Sequence, residues 1–332
     1  MMKQKVIFLA VTLGTLVAIA PALAVESAGL AMTAAQLGPA DRAALQHAVM
    51  ADRLARPAAY DLVAAARGCR PDGWKVARNP TPVCSREMRA LGPAGLLPML
   101  SALALDWQPD ASRLSLAPEL RSKEEQAMLV AMVDAVGILR DTRARPVLLA
   151  LWKLAADRRE VQLPIERANS VSRVVAEALG RLGGAVELQA LQAHLRAEDP
   201  LYNAAITGLG WCKRTDSAQL LVSALAGAKD DATQRWIVAA MGTLASSWSW
   251  QALGKVREPD GLRVRQRVTD ALLPLLARTQ GETRERVVAS LQLADLPDLP
   301  ARLATVRATA DATLQHDIDD LLGRYARAHA AR

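Results

Sequence analysis

The sequence predicts an all-α protein, an α-solenoid of stacked helical hairpins with a helical cap at its N-terminal end. Residues 174–195 have the pattern of two short helices joined across a tight Arg181-Leu-Gly-Gly184 turn. The first helix repeats apolar residues at spacings of one, four and five, and leucines recur along the second helix. Neighbouring stretches repeat the same pattern. Because neither helix can bury such a stripe alone, the pair is expected to stack on similar pairs.

Composition agrees with a folded helical protein. The chain has 332 residues, a formal net charge of +7, 51% hydrophobic residues and 3% aromatic residues. This balance is typical of a globular chain that is rich in alanine and leucine and excludes a disordered one.

The first 24 residues predict a bacterial-type signal peptide. Lys3 and Lys5 precede an uncharged apolar run, and Ala22-Leu-Ala24 provides small residues for a cleavage site. An uncleaved anchor helix is the alternative, since the run is long enough to span a bilayer. After cleavage no membrane span is expected, and the protein is expected in the periplasm or secreted. Export makes nucleic acid an unsuitable partner for the basic chain, and an anionic envelope polymer suits the charge better.

Residues 25–85 are expected to form the N-terminal helical cap. A helix is predicted from about Pro39 to Ala55, and a second from Pro57 to Arg67. Cys69 and Cys84 enclose a segment of turn residues without periodicity. In an exported protein these two cysteines are expected to form a disulfide; two free thiols are the alternative.

Residues 86–332 are predicted to form the repeats and their closing helices. Six residues can be aligned as markers, spaced by 45, 43, 30, 32 and 32 residues, with small or apolar side chains two before, one before and two after each. Two closing helices are expected at 298–307 and 311–329. The markers are Gly92, Gly137, Gly180, Gly210, Gly242 and Pro274.

Three segments of this region resemble HEAT-like repeats of the short variety also found in bilin lyases. They are Arg89-Ala-Leu-Gly-Pro-Ala-Gly-Leu-Leu-Pro98, Asp134-Ala-Val-Gly-Ile-Leu-Arg-Asp141 and Ala178-Leu-Gly-Arg-Leu-Gly-Gly184. The resemblance covers 86–256 and implies a superhelix of antiparallel helix pairs. It does not imply a function.

The alignment separates residues expected in the core from residues left for binding. Cys212 falls in a position that leucine fills in other units, so we expect a packed side chain and not a nucleophile. By the same argument four tryptophans are assigned to the core and three are not. The core group is Trp107, Trp152, Trp236 and Trp250, and the unassigned group is Trp74, Trp211 and Trp248.

Two surfaces are predicted to bind a partner. The turns between paired helices should line up as a ridge in which basic residues alternate with indoles, a combination suited to anions and to peptide or sugar faces; solvated charge at turns is the alternative. Positions nine past the marker should align as a polar column on the second helices, usually the concave face of such a solenoid; a solvated helix face is the alternative. The turn ridge comprises Arg140, Arg143, Arg181, Trp211, Lys213, Arg214 and Trp248, and the glutamine face comprises Gln189, Gln192, Arg196, Gln219, Ser223, Gln251 and Lys255.

No catalytic motif is recognised. His47, His194, His316 and His329 lie in separate predicted elements, and no phosphate-binding glycine loop follows a strand. We therefore predict neither an enzyme nor a cofactor or metal site. The predicted function is a periplasmic module or scaffold that binds a protein or peptide; the alternative is an envelope protein that recognises peptidoglycan or lipopolysaccharide.

Overall fold

The computed structural model describes residues 37–65, 83–105, 118–157, 171–255 and 258–330. Within these ranges every regular element is a helix, so the all-α prediction is confirmed. The predicted signal peptide and the loop that follows Cys69 lie outside the described residues, and so does the predicted pairing of Cys69 with Cys84. Among the described helices, no segment combines the length and the hydrophobicity of a transmembrane span.

Short helices follow one another with few intervening residues. The first nine are α1 (Pro39–Ala55), α2 (Pro57–Ala65), α3 (Val83–Ala90), α4 (Leu96–Ala104), α5 (Pro118–Leu139), α6 (Arg145–Asp157), α7 (Val171–Leu182), α8 (Ala185–Gln192) and α9 (Tyr202–Trp211). The others are α10 (Thr215–Ala226), α11 (Asp231–Ala245), α12 (Ser247–Ala252), α13 (Pro259–Arg278), α14 (Gly281–Ala294), α15 (Leu299–Arg307) and α16 (Ala312–Ala330). The two predicted closing helices correspond to α15 and α16 within a residue at each end.

Six helices pack side by side in a continuous row, which is the framework of the fold. In this row α3, α5, α7, α9, α11 and α14 each pack against the next. The intervening helices α6, α8 and α10 pack against their neighbours in the row. The buried apolar side chains of all these elements belong to one core cluster.

Four of the six markers allow the row helices to approach closely. A Cβ added at Gly137 would lie 2.7 Å from Ala178 Cβ, and one added at Gly210 would lie 2.8 Å from Ala240 O. At Gly180 an added Cβ would overlap Gly208 O. In each case the marker meets the residue two positions before the next marker. These positions must stay small because the neighbouring backbone occupies the space.

Three of the turns between successive helices also share one backbone geometry. Three residues after the marker, Arg140, Gly183 and Lys213 have positive φ values of 53°, 65° and 26°. Four residues after it lies the N-cap of the following helix or 3-10 turn, as at Asp141 and Ser246. A residue with a left-handed backbone conformation ends one helix, and the residue after it is the N-cap of the next, so the turn is short.

The two outer markers are wrong. Gly92 has φ 56°, and nothing lies within 4 Å of an added Cβ, so it is a turn glycine and not a contact between helices. Pro274 lies inside α13, which packs beside α10, whereas α14 takes the next place in the row. Gly242 therefore contacts Ser290 of α14, with an added Cβ 2.5 Å from its Oγ. The order of the two helices in the pair is reversed from this point on.

Most assignments of side chains to the core are confirmed. Cys212, Trp152 and Trp250 are at most 3% exposed. Trp236 is only partly buried, where its Nε1 donates to Asn203 O and its ring lies 5.6 Å from the Arg173 guanidinium. Trp74 and Trp107 lie outside the described residues.

Candidate functional site

Arg181, predicted for the turn ridge, is buried and holds helices together. Its guanidinium pairs with Asp134 of α5 at 3.2 Å and with Glu177 of its own helix at 3.3 Å. Asp134 also accepts a hydrogen bond from Arg89 of α3 at 2.7 Å. One buried carboxylate thus connects three successive row helices, and Arg181 is not available to a partner in the way the sequence predicted.

Trp211 is also fixed by this network. Its ring lies 4.4 Å from the Arg181 guanidinium, a cation-π contact that covers the buried arginine. The indole is partly exposed. Trp211 therefore contributes only part of its surface to the turn ridge.

Lys213 turns inward and binds the end of α11. Its Nζ donates to Thr243 O and to Leu244 O and lies 6.0 Å from the centre of the Trp250 ring. Burial, together with the nearby positive charge of Arg140, lowers the pKa of Lys213 to about 7. The sequence placed this amine on the surface, but the carbonyl groups that hold it come from the next helix pair, 30 residues further along the chain.

Two other arginines of the turn ridge pair with nearby aspartates. Arg143 binds Asp141 through two nitrogens, at 3.0 and 2.7 Å, and Arg214 contacts Asp216 at 3.1 Å. The Arg143 guanidinium holds the pKa of Asp141 below its ordinary value. The net charge that these turns present is therefore smaller than the arginines alone indicate.

Arg140 differs from the other turn arginines. It is partly buried at the left-handed end of α5, and no carboxylate or carbonyl partner is found for it among the described residues. Burial and the positive charge of Arg181 lower its pKa. Among the described residues of the turn ridge, Arg140 is thus a cation for which no carboxylate or carbonyl partner is found.

Apolar side chains are exposed on the same ridge. Trp248, in the first turn of α12, is 76% exposed, and Val186 and Ile138 in earlier turns are 48% and 41% exposed. Trp248 and Val186 occupy the same position, six residues after their markers. Trp250, two residues further, is buried, and its Nε1 donates to Leu244 O at 2.8 Å. The ridge therefore presents an exposed indole beside a tightly packed one.

The glutamine face is exposed throughout. Each of its seven residues has an exposed side chain, and the three central glutamines lie on α8, α10 and α12. Lys255 pairs with Glu258 at 3.7 Å. The structure agrees with the predicted exposure of these residues and shows no further feature that separates a binding face from a solvated one.

The carboxylate and the thiol buried near the turns, Glu187 and Cys212, are packed in the interior of the protein. Glu187 is fully buried beneath Gly184 and pairs with Arg145 at 2.5 Å. Burial raises the pKa of the neighbouring Cys212 thiol to about 12, so this thiol is not activated for attack. Among the described residues, no three potential ligands from histidine, cysteine, aspartate or glutamate are grouped to hold a metal.

A groove that the sequence did not predict lies where α10, α11, α13 and α14 meet. Its volume is about 850 Å³. Its lining includes the apolar residues Val222, Leu225 and Leu275 and the charged residues Asp231 and Arg278. The groove borders α13, the helix that the alignment placed in the wrong row.

The chain was compared with known proteins. No protein-family model matches it, and no curated protein matches it either.

Proposed function

We propose that the protein is an exported binding or scaffold module, an α-solenoid of HEAT-like helix pairs that engages a protein or peptide partner through its turn ridge. The observation that carries this proposal is the 76% exposure of Trp248 on a tightly packed framework. Tryptophan is highly buried on average in folded proteins, so an indole that is mostly exposed calls for a partner. Tryptophan is also the residue type most enriched among the side chains that dominate binding energy at protein interfaces.

Other exposed residues near the turns support a protein or peptide partner. Ile138 and Val186 are exposed apolar residues near earlier turns, and Arg143 and Asp141 form a charged pair at another. Protein interfaces combine apolar residues with polar ones in this way. Because the turns are already fixed by helix caps and by buried ion pairs, little conformational entropy would be lost on binding.

Affinity capture from periplasmic extract tests the proposal. The immobilised protein without residues 1–24 is compared with Trp248→Ser and with a variant of the glutamine face, Gln219→Ala. Both altered side chains are exposed, so both variants are expected to fold. The proposal predicts a partner that is retained by the protein and by Gln219→Ala and lost from Trp248→Ser. A partner lost only from Gln219→Ala would refute the turn ridge and assign binding to the glutamine face.

A second candidate is recognition of an anionic envelope polymer such as peptidoglycan or lipopolysaccharide. It is favoured by Arg140, which has no counter-ion among the described residues, and by the net charge of the chain without residues 1–24, which is +5 (+7 less Lys3 and Lys5). Ionic strength separates the two candidates. Binding to a charged polymer should weaken steeply between about 50 and 500 mM salt, because the Debye length shrinks, whereas a packed interface around Trp248 should weaken much less.

A further inference from the structure

The free guanidinium of Arg140 lies among other cations. Arg181 of the next row helix is close enough for the two charges to repel, and so is Lys213 of the helix pair after that. Arg181 has Asp134 and Glu177 as counter-ions, and Lys213 has two carbonyl oxygens. For Arg140, the described residues provide no counter-ion.

The backbone holds Arg140 in an unusual conformation. Its φ of 53° lies in the left-handed region, which is unfavourable for a residue with a side chain. The equivalent positions in the next two turns are Gly183, with φ 65°, and Lys213, with φ 26°. Lys213 has carbonyl partners there, whereas the partly buried guanidinium of Arg140 has none among the described residues, which points to a ligand.

We propose that Arg140 binds a single oxyanion group, a carboxylate or a phosphate, supplied by the partner at the turn ridge. The planar fork of an arginine binds two oxygens of such a group at once. When protonated, Lys213 adds positive potential without direct contact, because its amine is held by carbonyl oxygens and not by a carboxylate. This inference deepens the proposed function, since it gives the chemical class of one group on the partner.

Proton uptake accompanies binding at this site. The titratable and charged groups that face Lys213 are Arg140, which follows α5, and the thiol of Cys212, which follows α9. From α11 and α12 it meets carbonyl groups and the Trp250 ring. A bound anion would offset the charge of Arg140 and so raise the pKa of Lys213 from its value of about 7. Binding is then stronger at a pH where Lys213 can hold its proton, and affinity falls as pH rises above 7.

Small anions test this site without the natural partner. Acetate and inorganic phosphate are titrated at pH 6 into ¹⁵N-labelled protein at constant ionic strength, and the Nε–H signal of Arg140 is followed by NMR. We expect a saturable shift of this signal. The stronger of the two anions identifies the group as a carboxylate or a phosphate. A signal that neither anion moves would overturn the proposal, while the function proposed for Trp248 would stand.

Variants distinguish a site from a general effect of charge. Arg140→Gln and Arg140→Asn, of which asparagine suits the left-handed backbone better, should each weaken binding at least tenfold, as measured by calorimetry. The matched control is Arg286→Gln, because Arg286 is exposed and has no partner among the described residues. It should change affinity less than twofold. An equal loss in Arg286→Gln would show that the anion responds only to net charge.

The pH arm uses acetate, which stays ionised from pH 6 to 9. A shift of one unit in the pKa of Lys213 corresponds to about a tenfold fall in affinity over this range. Lys213→Arg keeps the positive charge across the range and should remove most of that fall. A fall that persists in Lys213→Arg would refute the role of Lys213 and leave Arg140 as the anion site.

Discussion

Replacing Gly180 by alanine tests the packing of the row helices most directly. The added Cβ would overlap Gly208 O and lie 2.9 Å from Trp211 Cβ. The obstacle is the backbone of α9, so no side chain can rotate away. On the other face of the same contact, a Cβ at Gly208 would lie 2.7 Å from Ala176 O. The two helices can accept the methyl group only by moving apart.

The cost follows from these contacts. Overpacking of a core usually costs about 1–3 kcal/mol, and a fixed backbone obstacle places Gly180→Ala at or above the upper end of that range. The better helix propensity of alanine returns about 1 kcal/mol. We expect a net loss of about 2–3 kcal/mol in the free energy of unfolding, which corresponds to a fall of roughly 4–12 °C in melting temperature.

Urea denaturation followed by circular dichroism measures this change, with Gly227→Ala as the matched control. Gly227 ends α10 with φ −89°, and an added Cβ would lie 3.6 Å from the nearest atom, Ala224 O. Alanine should therefore leave stability unchanged or raise it by about 0.4–1 kcal/mol. If Gly180→Ala proved as stable as Gly227→Ala, the close approach of α7 and α9 at the marker would be refuted.

Three further predictions concern buried charge and the ridge. Asp134→Asn should lower the free energy of unfolding by about 3 kcal/mol in urea denaturation, since it removes the buried counter-ion that Arg181 shares with Arg89. A loss below about 1 kcal/mol would contradict this network of ion pairs. The unfolded chain keeps the proton of Lys213 up to about pH 10.5, whereas the folded chain releases it near pH 7. Between these pH values the free energy of unfolding should therefore rise with pH, by up to about 1.4 kcal/mol per pH unit, when it is compared with that of Lys213→Met. A constant difference between the two proteins across this range would refute the lowered pKa. Trp248→Ala should change the unfolding free energy by less than about 0.5 kcal/mol, whereas Trp250→Ala should cost about 3–5 kcal/mol, and equal losses would contradict their different burial.

The sequence alone predicts the packed positions between Gly137 and Gly242. In this part of the chain a small residue is required wherever two row helices touch, so the physical constraint is visible as a recurring glycine or alanine. Cys212 and Trp250 could be assigned to the core for the same reason: their positions in the register are those of leucines in other units. Spacing carries this information because the contact between adjacent units is the same each time.

The partners of the turn-ridge cations could not be predicted from the same spacing. Arg181 pairs with Asp134, 47 residues earlier, and Lys213 binds main-chain carbonyls that have no signature in a sequence. A basic residue in a turn looks the same whether its side chain points outward or folds back on the next helix pair. Only the structure separates the inward cations from Arg140.

The two wrong markers show where spacing misleads. Gly92 and Gly180 are both glycines that follow a helix-like stretch, but one supplies a positive φ and the other supplies room for a neighbouring backbone. Pro274 has leucines on both sides, as a marker would, although Ser290 holds the contact with Gly242. Because the last two pairs enter the fold in reversed order, α13 packs beside α10 in a place that a second helix would otherwise fill. The groove that borders α13 is therefore a consequence of this reversal, and no alignment with a constant repeat could have located it.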